Sequence, residues 1–192
     1  MRKIKVLSLL AGAMSLSCAA IPLRAPSVPL VSVDPFFSVW SPADKLSDAP
    51  TEHWSGQAQP MSALLRVDGQ TFRLLGTEPS DVPSMPQTAC TVWPLRTVCA
   101  FADGAVHAEL TFATPALPEN LDLFSRPVTY VTCRVKSLDG KRHAVQFYYD
   151  VGGEIAVGSD EQAVVWQAEP AEGLASMRLG REQQPVLGRS GD

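Results

Sequence analysis

Three Asp-Gly pairs, Asp68-Gly69, Asp103-Gly104 and Asp139-Gly140, each sit between runs of alternating apolar and polar residues. Asp and Gly both tolerate the positive φ of a two-residue hairpin turn, so the pattern predicts antiparallel strand pairs joined by tight turns. Residues 63–67 and 70–75 flank the first pair. The second joins 97–101 to 105–114, where Val106, Ala108, Leu110 and Phe112 share one face and His107, Glu109 and Thr111 the other. A period of two over that length is a strand with one face in a core. His107 is accordingly expected as an exposed strand histidine. A third hairpin is expected from 128–136 and 142–149, across Asp139-Gly140.

Residues 91–95 read as another strand, with Pro94 marking a bulge or an edge. Shorter strands are expected at 152–157, 163–167, 175–179 and 184–187, and 121–124 is expected to pack back onto the sheet. Little room remains for helix. The fold class is all-β, an antiparallel β-sandwich over 63–192. The last four residues read as a turn with no return strand, so this sandwich is expected to be truncated at its C-terminal end.

Residues 21–62 differ in character. After a proline-containing linker they hold an Asp-Pro turn, the Phe36-Phe37 pair, Trp40, His53 and Trp54, with Pro42, Pro50 and Pro60 between. Proline cannot donate to a strand ladder, which predicts an irregular segment lying along an edge or over the sheet. Asp34 is expected to form its turn through the side-chain oxygen.

The runs Val33-Asp34-Pro35-Phe36-Phe37-Ser38-Val39-Trp40, His53-Trp54-Ser55-Gly56, Leu65-Arg66-Val67-Asp68-Gly69 and Asp122-Leu123-Phe124-Ser125-Arg126-Pro127 resemble, in that order, the glutaminase A family of secreted proteins. The resemblance covers nearly all of the chain after its first twenty residues. It implies a β-sandwich N-terminal region followed by a six-hairpin helical domain, with hydrolysis of L-glutamine to L-glutamate and ammonia as the activity of the whole. This chain would correspond to the N-terminal region, inactive alone, with that helical domain as its partner and no catalytic residue of its own. Asp34, Trp40, His53 and Trp54 are the expected domain-interface or ligand-facing residues. The alternative reading is a stand-alone cell-envelope binding module for carbohydrate, because exposed tryptophans on a sandwich stack on sugar rings. Against it, Trp40, Trp54, Trp93 and Trp166 are scattered along the chain.

Arg2, Lys3 and Lys5 precede an apolar run at 6–16 and small residues at 17–20. This is the pattern of a signal peptide over 1–20, which implies a periplasmic or extracellular protein. Two readings compete: cleavage after Ala19 or Ala20 releases a soluble chain, or Cys18 is lipidated and holds it at a membrane. An oxidising compartment permits a Cys90–Cys99 disulfide; the alternative is that Cys90, Cys99 and Cys133 are small buried hydrophobes. A net charge of −4 leaves no basic footprint for nucleic acid. No phosphate loop, nucleophile elbow or metal-ligand spacing occurs, and His53, His107 and His143 lie far apart, so neither a cofactor nor a metal is expected.

Overall fold

The computed structural model describes residues 25–158 and 162–183. The leader expected at 1–20 with Cys18, the strand expected at 184–187 and the turn expected after it lie outside the described residues. Two antiparallel sheets enclose one core. The larger runs β6 (Gln87–Trp93), β7 (Arg96–Ala102), β8 (Val106–Ala113) and β9 (Tyr130–Ser137) in sequence order; the other is β10 (Val145–Val151), β4 (Met61–Val67) and β5 (Gln70–Leu75). Burial alternates along β8 as its sequence dictates, with Val106, Ala108, Leu110 and Phe112 inward. On β4 the inward set is Met61, Ala63, Leu65 and Val67. Each fully buried Leu or Phe contributes about 1.5–3 kcal/mol by leaving water.

The turns between these strands follow local chemistry. Asp68 and Gly69 take φ of 48° and 92°, positive at both central positions as the primed hairpin turn requires. Between β7 and β8 the Asp103 carboxylate accepts from the backbone N–H groups of Ala105 and Val106. Pro94 and Leu95 form the turn between β6 and β7, since Trp93 pairs with Arg96. Cys90 and Cys99 are opposite in that pair and are joined as a disulfide.

The third expected hairpin does not form. β9 pairs with β8, whereas β10 pairs along its full length with β4 in the other sheet. The Asp139-Gly140 turn therefore carries the chain across the sandwich. An Asp-Gly signal specifies a turn but not the partner of the strand that follows it. Here β10 is captured by the β4–β5 turn: Asp68 N–H donates to the Ala144 carbonyl at 2.9 Å, and Ala144 N–H donates to the Asp68 carboxylate at 2.8 Å.

Two smaller expectations also change. The strand expected at 152–157 is a 3-10 turn, Gly153–Ala156, entered through Gly152, whose N–H donates to the Pro60 carbonyl. Leu121–Phe124 forms one turn of helix, α1, capped by Asn120, and its apolar side chains are exposed instead of packing on the sheet. The last described strands, β11 (Val165–Ala171) and β12 (Leu174–Gly180), form a separate two-stranded hairpin.

Residues 25–60 hold a small sheet of their own, β1 (Val28–Ser32), β2 (Ser38–Ser41) and β3 (Glu52–His53), linked by turns and loops. A bulge between Pro29 and Val31 turns both Leu30 and Val31 into the core. Buried Thr51 donates to the Gln59 carbonyl and accepts from Met61 N–H, and the Gln87 amide holds Leu46 and Asp44. The segment is thus anchored to both main sheets.

Candidate functional site

The carbonyl of Pro35 gathers the sequence motifs around itself. It accepts from Trp54 Nε1 at 2.6 Å and lies 2.9 Å from His53 Nε2. A carbonyl can only accept, so His53 carries its proton on Nε2, and Nδ1 accepts from Ser55 at 2.7 Å. Both ring nitrogens are committed, and the imidazole is a positioning group here. Asp34 makes the turn that presents this carbonyl, its Oδ1 accepting from Phe36 and Phe37 N–H at 2.7 and 2.8 Å. The motif at 34–37 and the motif at 53–56 are therefore two halves of one structure.

Of the four interface candidates, three converge. Asp34, His53 and Trp54 meet at Pro35, with Trp54 63% exposed. Trp40 does not join them: it lies half-buried on β2 and its indole donates to Ser38 Oγ. Sequence reasoning missed a cleft of about 230 Å³ beside His53, with Phe36, Gln57 and Gln59 on one side and Ile155 and Val157 on the other. Gln59 is buried, and its Oε1 has no hydrogen-bond partner among the described residues. Only the fold could reveal this cleft, because its walls are about a hundred residues apart in the chain.

The second feature is apolar. Large side chains exposed by more than a third concentrate between Leu117 and Met177: Phe124 on α1, Phe147 and Tyr148 on β10, Trp166 on β11 and Met177 on β12. On β10 both faces are involved, since Phe147 and Tyr148 are neighbours on an edge strand that pairs only with β4. The Cys133 thiol on β9 is half-buried, and burial pushes its pKa up to about 11. Burial likewise pushes the Tyr149 phenol up to about 12, and its hydroxyl reaches Met61 Sδ. Neither group is poised for nucleophilic or acid–base work at neutral pH.

Among the described residues, no group of three or more His, Cys, Asp or Glu is placed to hold a metal ion, and no helix is long and apolar enough to cross a membrane.

Comparison with known proteins adds three findings. Glutaminase A of Aspergillus oryzae is 28% identical over 172 residues, covering 85% of this chain and 25% of that protein. The chain thus spans about a quarter of the length of that curated relative, and no solved structure matches it. Two family profiles match, each described as a domain of unknown function: DUF4964 over residues 6–86 and DUF5127 over residues 95–192. The first match takes in the Pro35 hub with β4 and β5, the second takes in β7 to β12, and β6 lies between the two. With half of its length matched by the second profile, the chain belongs to the DUF5127 family of domains.

Proposed function

We propose that this chain is the non-catalytic β-sandwich region of an exported glutaminase A-like protein, and that it supports a helical domain which carries the hydrolysis of L-glutamine to L-glutamate and ammonia. The observation that carries this reading is the concentration of exposed large apolar side chains between Leu117 and Met177. Contiguous exposed apolar surface on a soluble domain marks a docking face. A sandwich buries its faces by stacking layers, whereas edge strand β10 exposes Phe147 and Tyr148 and the separate β11–β12 hairpin exposes Trp166 and Met177 among the described residues. Similarity to glutaminase A of A. oryzae over a quarter of that protein supports the same division of labour. The Pro35 hub, with Trp54 exposed beside the cleft, forms a second contact at the edge of the docked domain. Export by the leader at 1–20 agrees with a Cys90–Cys99 disulfide, which persists in oxidising compartments.

Deletion tests the reading. Removing from the A. oryzae glutaminase A the segment that matches this chain should abolish glutaminase activity or soluble expression. A truncated enzyme with full activity and unchanged thermal stability would contradict it.

A further inference from the structure

The outer face of the larger sheet, away from the core, has a relief of its own. Register sets Trp93, Arg96, Ala113 and Tyr130 in one row across β6, β7, β8 and β9. With strands about 4.8 Å apart, the two rings stand roughly 14 Å from each other across a short floor. A trough of about 350 Å³ opens on this face, with Trp93 and Arg96 at one end and Glu109, Thr111, Thr132 and Arg134 along it; Tyr130 stands beyond that lining, at the β9 end of the row. Trp93 is 52% and Tyr130 61% exposed. The Arg96 guanidinium lies 5.7 Å from the Trp93 ring centroid, a cation–π contact that holds the ring upright.

Charge along this face is uneven. Glu109 and Arg134 are directly opposite on β8 and β9, and His107 faces Lys136 in the next outward pair. Among the described residues, Glu109, Arg134, Arg96 and Lys136 make no ion pair within 4.0 Å. Three cations thus stand against one carboxylate, on a chain whose net charge is −4. The centre of a protein–protein interface is depleted of charge. This trough is the reverse: charged and hydroxylated along its length, with Trp93 at one rim and Tyr130 beyond the other end of the row.

We propose that the trough binds an acidic polysaccharide, a chain of sugar rings bearing carboxylates. Trp93 and Tyr130 take the apolar C–H faces of two rings separated along the polymer, as aromatic side chains with one apolar and one polar aspect do. Arg96 and Arg134 pair with carboxylates through planar forks that match them. Glu109 and Thr111 accept from ring hydroxyls.

Native affinity electrophoresis of the full chain in gels containing polygalacturonate, with hydroxyethyl cellulose as the neutral counterpart, tests this. Polygalacturonate should retard the chain. Trp93→Ala and Arg134→Gln should each weaken retardation by about tenfold or more, while Arg178→Gln, which removes a cation from the β11–β12 hairpin, should leave it unchanged. Arg134 is exposed, so its variant keeps the test valid should Trp93→Ala fail to fold. Three results would each overturn the proposal: no retardation, equal weakening by Arg134→Gln and Arg178→Gln with none by Trp93→Ala, as bulk charge would give, or equal retardation by the neutral polymer.

Discussion

Nδ1 of His143 lies 2.6 Å from Oδ2 of Asp68, across 75 residues of chain, and joins the turn of one hairpin to the strand entering from the other sheet. Nε2 of the same ring lies 2.9 Å from Asp139 Oδ1. Two carboxylates on one ring require both nitrogens to donate, so the imidazolium form is the one that fits. Only 8% of the side chain reaches solvent. The hydrogen bond to Asp68, then that to Asp139, raises the His143 pKa above 6.5. The bond from His143 lowers Asp68 below 3.8; Asp139 is lowered by Lys141 N–H first and by His143 second.

These directions set a pH window. The histidine contribution is fully present below 6.5 and is lost as pH rises through the raised folded value. The two aspartate contributions are present above 3.8 and are lost as pH falls through their lowered values. The difference in melting temperature between the parent and His143→Gln should therefore be largest between about pH 4 and 6.5 and shrink on either side. A difference constant from pH 3 to 10 would mean that the ion triad does not close the sandwich.

Thiol chemistry should separate the three cysteines of the sandwich. Peptide mapping under non-reducing conditions should find Cys90 linked to Cys99. Cys133 should be alkylated slowly at about pH 8 in the folded chain, because burial holds its thiol near 11, and rapidly in denaturant. Closing so short a loop stabilises by about 2–3 kcal/mol on the chain-entropy account, the loss expected from Cys90→Ala.

Core and docking face should respond in opposite ways. Phe112 is 1% exposed, and Phe112→Ala should cost about 3–5 kcal/mol in urea unfolding. Trp166 is 67% exposed, so Trp166→Ser should cost under about 1 kcal/mol while reducing dye binding or self-association of the isolated chain. Equal losses from both would place Trp166 inside the chain's own core.

Trp54→Phe keeps the ring and removes the indole donor to Pro35. The expected loss is one hydrogen bond at an exposed site, about 0.5–1.5 kcal/mol, with the fold intact by circular dichroism. A loss beyond about 3 kcal/mol would show that the Pro35 hub stabilises far more than its own turn.

How much of this was written in the sequence differs by element. The alternation from Val106 to Phe112 fixed a strand and its buried face, because period two has one structural meaning at that length. Asp68-Gly69 marked a true hairpin. Asp139-Gly140 looked the same and is a crossover, since local turn chemistry carries no information about Asp68 waiting on the other sheet. Leu121 to Phe124 reads as core by composition alone, yet its single capped turn leaves those side chains in solvent. Asp34, His53 and Trp54 were singled out as a concentration of unusual residues. That their common partner is a backbone carbonyl, and that Trp40 turns away to Ser38, required the fold. The trough on the outer sheet was hidden for the same reason, because cross-strand rows exist only once the register is known.

Ammonia release from L-glutamine by the purified, cooperatively folded full chain tests the proposed non-catalytic role. No release above the protein-free blank is expected at any pH from 5 to 9. Turnover of about 1 s⁻¹ or more, the lower end of ordinary enzyme rates, would contradict it.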